Sequence, residues 1–250
     1  MTPTPADKPP SQALFSTIAA RYDRCNHLFS LGIDRYWRKQ LAQTLVLKAD
    51  DAVLDICCGT GDMALSVLIH TPVHCVWGID CSETMIQLAQ EKRIRRAGRG
   101  RLRGKTLRLS VQDAAALAFE PGMFAAVTCA FGLRNIPDRA RVLAAVFRVL
   151  APGGQVGICE FSLPRFGLLR SVYWAYLSRV MPMAGRVVIG DAEPLRYLAR
   201  SIDHWHKTVR LEEELAGAGF VDCHCRLLTG GIVTLTVARK PGPLAAQPFL

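Results

Sequence analysis

The sequence has no long hydrophobic run. Charged residues cut every apolar stretch well before 18 residues, so no helix is expected to span a bilayer. Met1–Pro10 has no apolar segment behind a basic start, so no secretory signal is expected there. There is no C-x-x-C pair. The nine cysteines are odd in number, with Cys57 and Cys58 adjacent and Cys223 and Cys225 two apart. In a chain of this size they read as small buried hydrophobes in a reducing cytoplasm, not as a disulfide framework. No His, Cys, Asp or Glu cluster has ligand spacing, so no metal is expected. Collagen-like and coiled-coil patterns and internal repeats are also missing.

What is present describes a folded α/β chain. Half of the 250 residues are hydrophobic and 21% are charged, which excludes intrinsic disorder. The length suits one domain with an appendage. Acidic residues are the scarcer charge, and the net charge is +10. Most of that excess sits in Glu91–Arg108, which holds nine Lys/Arg and one Glu. Such a run reads as a solvated helix end and loop. An anionic membrane surface is a second reading. Nucleic acid is not expected, because no aromatic residue is interleaved to stack on bases.

Four of the 14 prolines lie in residues 1–13, which read as a flexible arm. Leu14–Leu47 reads as two helices, with Trp37, Leu41 and Leu45 on one face. Then short apolar strands alternate with helices. The strands are Ala52–Ile56, His74–Ile79, Thr106–Ser110, Phe124–Ala130 and Gln155–Glu160. The helices are Met63–Ile69, Ser82–Arg96 with Ser82 as N-cap, and Asp138–Leu150, which Pro152-Gly153-Gly154 stops. This alternation predicts a doubly wound, mostly parallel sheet covered on both faces. Val172–Ile189 is apolar but broken by Arg179, Pro182 and Arg186. After a helix at Arg210–Ala218, two strands at Phe220–Leu227 and Gly231–Ala238 form a hairpin, so one of them should run antiparallel. The expected organisation is a helical cap at 14–47, a core at 48–162 and 208–240, a helical lid at 163–207 and a loose tail at 241–250.

The first strand runs into Cys57-Cys58-Gly59-Thr60-Gly61-Asp62. Glycines such as Gly59 and Gly61 let backbone approach a ligand closely. Ligands in such sheets sit at the carboxyl ends of the strands. Asp80 ends the second strand 19 residues after Gly61 and can accept hydrogen bonds from ribose hydroxyls. The string from Gly59 to Ala64 also fits the dinucleotide fingerprint. A pyrophosphate, however, needs positive potential. Asp55 and Asp62 flank this loop, and no Lys or Arg is near in sequence. A ligand with a ribose, an ammonium and no phosphate fits better, which describes S-adenosylmethionine. The loop alone leaves a dinucleotide, or a turn without ligand, open. Asp113 and Ala114 follow the third strand, where they can read an adenine edge, although Asp113 can equally cap a turn. Arg134 and Asn135 follow the fourth strand at the mouth of the same cleft, although they can equally cap the helix near Asp138.

These residues resemble the quinone C-methyltransferases of ubiquinone and menaquinone biosynthesis. Phe15–Asp23 with Asn26, Ser30, Gly32, Ile33, Arg35 and Trp37 looks like the family's N-terminal signature. Phe131-Gly132-Leu133-Arg134-Asn135 with Asp138, then Val149–Gly154, is similar to its central one. Glu160-Phe161-Ser162, Asp191-Ala192, Arg196-Tyr197-Leu198, Ser201-Ile202 and Leu228-Thr229-Gly230-Gly231-Ile232-Val233 match further on. The resemblance covers residues 14 to 240 and is carried most specifically by the F-G-L-R-N and L-T-G-G-I-V strings.

The resemblance implies a Rossmann-like fold with a seven-stranded sheet, S-adenosylmethionine as co-substrate, and transfer of its methyl to a ring carbon of a reduced, lipid-tailed quinol. Demethylmenaquinol is the expected substrate, and the benzoquinol of the ubiquinone pathway or another small molecule is the alternative. The cofactor positions fall on Thr60, Asp80, Asp113 and Ala114. Arg134, as stabiliser of the phenolate-like oxygen, Asn135, as its positioner, and Tyr22, closing from the helical cap, become catalytic candidates. His204 and His206 are possible bases, although beside Trp205 they read rather as surface or core residues. Asp34, His27 and Leu195 stand where many members have histidine, aspartate and tyrosine. Ala130 stands where serine is frequent. Cys57 occupies the first glycine place of the loop, so a negative φ is expected there. A cytoplasmic enzyme is expected, peripheral at the inner face of an anionic membrane, with a homo-oligomer compatible with this reading. From its residues, Val172–Ile189 reads either as an amphipathic core helix or as a lid that touches lipid and admits the quinol.

Overall fold

The computed structural model describes residues 30–98, 100, 102–188 and 190–242. The first of the two N-terminal helices, with Tyr22, lies outside the described residues. So do the arm at 1–13 and most of the tail at 241–250. The second helix is α1 (Asp34–Thr44), which buries Trp37, Leu41 and Ala42.

Seven strands follow. They are β1 (Ala52–Ile56), β2 (Cys75–Asp80), β3 (Thr106–Val111), β4 (Phe124–Ala130), β5 (Leu150–Phe161), β6 (Val221–Leu228) and β7 (Val233–Arg239). They form one sheet in the order β3-β2-β1-β4-β5-β7-β6. β1 to β5 are parallel, and β7 lies antiparallel between β5 and β6. The late hairpin read from the sequence is therefore present, and β7 is its reversed strand. Its neighbour β6 regains the common direction.

Helices cover both faces because the central strands are apolar on both. On β1, Val53 joins one core with Trp37, Leu41 and residues of α2 (Asp62–His70). Leu54 and Ile56 join the other, with Val142, Leu143 and Val146 of α4 (Arg139–Val149) and Leu215 of α8 (Leu211–Gly217). Between them in sequence, α3 (Glu83–Ala97) starts at Ser82, whose side chain accepts from the Met85 N–H as expected of an N-cap.

One element departs from the sequence reading, and the lid segment gains its helix bounds. β5 begins at Leu150, because Pro152-Gly153-Gly154 makes a bulge within the strand. Pairing jumps from Phe124↔Leu150 to Ala126↔Gln155. Residues 172–188 are helical throughout. α5 (Gly167–Ala175) passes through a π-turn at Tyr176–Val180 into α6 (Met181–Val188). Pro182 cannot donate a helical N–H and crowds the preceding turn, and the wider turn before it absorbs that conflict. Lastly, α7 (Glu193–Thr208) lies in the segment read as a helical lid, though its own bounds were not read from the sequence. Its buried Leu195, Ala199, Ile202 and Trp205 recur with helical spacing. Leu195, Ala199 and Ile202 pack with Leu163, Leu177 and Met181 into a third, smaller core under the lid.

Candidate active site

The loops at the carboxyl ends of β1 to β5 enclose two adjoining cavities, each of about 420 Å³, within the range of small-molecule sites. The first is lined by the Gly59 loop, Asp80, Asp113, Ala114, Ala130 and Asn135. The second is strongly apolar. It lies between α1, the lid helices and α7, and includes Trp37, Phe161, Tyr173, Tyr176 and Tyr197 in its wall. Arg38 and Phe131 line both cavities.

The polar cavity is built on backbone conformations that follow from β1. Gly59 and Gly61 have φ of +52° and +83°, the left-handed region that glycine enters without cost from a Cβ. A Cβ added at Gly59 would meet nothing within 4 Å, so the loop leaves open space there. The Gly59 N–H donates to Asp80 Oδ2 at 2.9 Å, and the Ser82 N–H donates to Oδ1 at 2.9 Å. Burial raises the Asp80 carboxyl above its ordinary value. Asp113 is exposed at the rim, and its Oδ1 accepts the Ala115 N–H at 2.9 Å, so it does cap a turn while lining the cavity.

Cys57 overturns one expectation. Its φ is +51°, not negative. The Cys57 side chain finds room in this conformation because the facing residue is Gly132. A Cβ at Gly132 would lie 2.5 Å from Cys57 Cβ. A hydrogen bond with Cys129, together with burial, pushes the Cys57 thiol well up, so it stays protonated at neutral pH.

The electrostatics of the loop also differ from the sequence reading. Asp55 is fully buried and does not line the cavity. Its Oδ2 accepts the Ala64 N–H at 3.0 Å and its Oδ1 accepts the Thr128 hydroxyl at 2.8 Å. Burial pushes its carboxyl up to about 7. Asp55 thus fixes the start of α2 from beneath and is not placed as a direct cofactor contact. Asp62 is paired with Lys92, whose Nζ lies 2.8 Å from Asp62 Oδ1 and 2.8 Å from Thr60 Oγ1. A lysine thirty residues away in sequence therefore sits beside the loop. Asp80, Asp113 and Asp138 line the cavity beside the paired Asp62.

Between the cavities, Leu133–Asn135 forms one 3₁₀ turn after β4. Neither Arg134 nor Asn135 caps α4. The Asp138 side chain does, accepting the Arg141 N–H. The Arg134 guanidinium is bound to the fully buried Glu160 and donates from Nε to Ser201 Oγ at 2.9 Å. Its charge is thus matched by Glu160, as that of Arg38 is by Asp34. Asn135 Oδ1 accepts from the Tyr197 hydroxyl at 3.0 Å, a bond that links the two cavities.

The sequence reading missed Arg38. It is buried and donates from one guanidinium nitrogen to Asp34 Oδ2 at 2.5 Å, and its guanidinium carbon lies 5.1 Å from the centre of the Phe131 ring. The signal was available: Asp34 and Arg38 are four apart on the same helical face as Trp37 and Leu41.

His204 is exposed, and His206 Nδ1 lies 3.3 Å from Ser162 Oγ, with neither lining a cavity. The basic run is partly absorbed into structure. Besides Lys92, Arg93 donates to the Leu107 carbonyl, Lys105 Nζ to the Thr71 carbonyl, and Arg108 stacks on Trp77. The loop between α3 and β3 lies at the amino ends of the strands, opposite both cavities. Among the described residues no group of three or more His, Cys, Asp or Glu is arranged to hold a metal ion, and no helix is long and apolar enough to cross a membrane.

The fold is shared with solved methyltransferases. A phosphoethanolamine N-methyltransferase of Haemonchus contortus, in complex with S-adenosyl-L-methionine, matches with a TM-score of 0.58 at 18% identity, over 82% of this chain and 52% of that one. An S-adenosylmethionine-dependent methyltransferase of Thermotoga maritima matches with a TM-score of 0.60 at 16% identity, over 92% of this chain and 99% of the other. Sequence relatives are nearer. A demethylmenaquinone methyltransferase of Thermus thermophilus is 37% identical over 91% of this chain and its own full length. A ubiquinone/menaquinone biosynthesis C-methyltransferase of Geotalea daltonii is 35% identical over 92% of this chain and 95% of its own. The model of the ubiE/COQ5 methyltransferase family matches residues 4–240. With the 3-2-1-4-5-7-6 sheet and the glycine loop facing Asp80, these matches establish that the chain belongs to the ubiE/COQ5 methyltransferase family.

Proposed function

We propose that this enzyme methylates a ring carbon of demethylmenaquinol, using S-adenosylmethionine, to give menaquinol. The observation that carries the reading is the pair of cavities, one polar and one apolar, that meet at Arg38 and Phe131. Relatives that bear the demethylmenaquinone methyltransferase name support the same assignment.

The polar cavity fits the donor. Asp80 would accept the ribose hydroxyls, Asp113 with Ala114 would face the adenine, and Thr60 with Gly59 and Gly61 would let backbone close on the remainder. When bound, S-adenosylmethionine supplies an electrophilic methyl group on a positively charged sulfur. Asp55 acts from below as a support for this loop. Ala130 offers no side-chain hydroxyl on the cavity wall.

The apolar cavity fits the acceptor. Trp37, Phe131 and Phe161 form a cluster of rings, with centroids 6.0, 5.9 and 4.5 Å apart, that can flank a planar quinol. Trp37 Nε1 donates to Thr229 Oγ1 at 2.7 Å, which ties the L-T-G-G turn to α1. A ring carbon is a weak nucleophile until the adjacent hydroxyl yields its proton. Methylation then replaces the ring hydrogen, and one proton is released per turnover. The protein's task is to align the two partners, keep water away and hold the oxygen that becomes negative. Asn135, fixed by Tyr197, is the candidate for orienting the ring hydroxyl. Tyr22, outside the described residues, remains assigned by family resemblance alone.

The tail of the substrate would leave beneath the lid. Phe166, Leu168, Val172, Val180, Met183 and Val187 are exposed on or beside α5 and α6, among Arg165, Arg170, Arg179 and Arg186. An apolar face with basic flanks suits an anionic bilayer surface. We assign peripheral membrane contact to this lid and not to the basic run, whose Lys92, Arg93, Lys105 and Arg108 are engaged within the fold.

The test is methyl transfer to reduced demethylmenaquinone and, in parallel, to the ubiquinone precursor. Transfer to the first with little to the second is expected. Preference for the benzoquinol would move the assignment to the ubiquinone step, in keeping with the double name of the Geotalea relative. Flotation with anionic vesicles, lost in a Phe166→Asp/Leu168→Asp/Met183→Asp variant, is expected for the lid. Flotation unchanged by those substitutions would refute that contact.

A further inference from the structure

We infer that Arg38 is a catalytic residue, the cation that holds the quinol oxygen as its ring carbon takes the methyl, and that Asp34 positions it. This rests on the quinol-methylation reading.

The argument starts from place. The methyl must pass between the two cavities, so groups at their junction are those nearest the reacting atoms. Among the described residues, only Arg38 and Phe131 line both. Phe131 can supply only a surface for the ring. Arg38 alone of the two can meet a developing negative charge, and its planar guanidinium keeps that charge at any working pH.

The site holds Arg38 as a preorganised group. Its guanidinium meets Asp34 Oδ2 and the Asp34 carbonyl within the same turn of α1, and it lies over the face of Phe131. Asp34 is buried in turn, and its Oδ1 accepts from the Ser30 hydroxyl at 2.7 Å. A buried carboxylate beside the arginine also moderates the repulsion between a lone cation and a sulfonium. The pair therefore offers a directional hydrogen-bond donor without a large net charge at the seam.

The contrast with Arg134 sharpens the choice. Arg134 lines only the apolar cavity, and its guanidinium is bound to Glu160 and Ser201 on the side of β5 and α7. It completes a wall. Arg38 sits where that wall opens toward the donor.

Stabilising the oxygen should matter most for poorly acidic hydroxyls. Loss of Arg38 should therefore act on the chemical step and raise the apparent pKa of the substrate hydroxyl in the pH profile. Removing Arg38 alone would strand the buried Asp34 carboxylate, which can unfold the site. The working variant is thus the neutral pair Asp34→Asn/Arg38→Gln, with Arg38→Lys beside it.

The experiment uses the full chain and reduced demethylmenaquinone with a short tail. For the neutral pair we expect kcat to fall about a hundredfold, KM for the quinol and Kd for S-adenosylmethionine to stay within about threefold, and the rising limb of the pH profile to move up by at least one unit. A ring-chlorinated quinol, with a more acidic hydroxyl, should lose less. Arg38→Lys should retain part of the rate. If the neutral pair binds S-adenosylmethionine normally yet keeps kcat within threefold and an unchanged pH profile, Arg38 does not hold the oxygen. A variant that no longer binds S-adenosylmethionine or melts early, with Arg38→Lys at full kcat, would make Arg38 structural and would equally overturn the assignment. Failure of the wild-type chain to methylate the quinol would instead sink the functional reading, and this inference with it.

Discussion

The Cβ of Cys57 occupies the space that a Cβ on Gly132 would need, with only 2.5 Å between them. The loops after β1 and β4 therefore close on each other through a side chain on one strand and its lack on the other. Gly132→Ala should cost about 1–3 kcal/mol through overpacking. Cys57→Gly alone should change stability by less than about 1 kcal/mol, since relief of a left-handed residue offsets the looser unfolded chain. Combining them should recover most of the loss in urea denaturation. Strictly additive effects would show that the loops move apart and that the contact is not limiting.

Asp80 uses both carboxylate oxygens on backbone N–H groups, one from Gly59 and one from Ser82. Asparagine can accept at only one of these and turns its amide hydrogens on the other. Asp80→Asn should weaken S-adenosylmethionine binding tenfold or more by calorimetry, on the scale of the roughly 1–3 kcal/mol lost when a buried donor goes unmatched. An unaltered Kd would remove Asp80 from the donor site.

Asp55 gives the folded chain a distinct dependence on pH. Burial pushes its carboxyl up to about 7, above its value in an unfolded chain, so the native state holds the proton more tightly. The contribution is fully present below about pH 4 and is lost as pH rises through about 7. Melting temperature should therefore fall across this window, over and above the trends of other groups. In Asp55→Asn that component should vanish. An identical slope in the variant would show that the carboxyl is not perturbed in this way.

Arg134 and Glu160 form a pair whose members cannot be judged singly. Arg134→Met would leave the fully buried Glu160 unmatched and should destabilise the chain by about 3–5 kcal/mol. Lost activity in that variant would say little about chemistry. Adding Glu160→Gln should restore most of the stability, measured by thermal melting. The double variant's kcat then reports on catalysis; a value near that of the wild type would leave Arg134 as a wall residue.

The parts of this molecule that were legible in its sequence are those set by short-range pattern. β1 and β4 were bounded to the residue, because buried parallel strands are short apolar runs between turns. The glycine loop, Asp80 at the end of β2 and a late hairpin with one reversed strand followed from spacing and turn chemistry. What stayed hidden depends on partners distant in sequence. Lys92 is brought to Thr60 and Asp62 by the packing of α3, and no local rule reports that. Asp55 and Asp80 look alike as strand-end carboxylates, yet one turns into the core and the other toward the cavity. Cys57 could not be assigned its positive φ without the hollow that Gly132 provides. The Asp34–Arg38 pair was readable in principle, as two charges on an apolar helical face, but its importance comes from β4, which brings Phe131 against it.

The shared partition of Arg38 and Phe131 has a kinetic consequence. In the proposed reading, donor and acceptor would occupy hollows whose walls, among the described residues, are otherwise separate, so neither guest would have to vacate its berth before the other arrives. Steady-state kinetics should show intersecting double-reciprocal lines with no obligatory order, and the spent nucleoside and the methylated lipid should each inhibit competitively only against the compound whose chamber it shares.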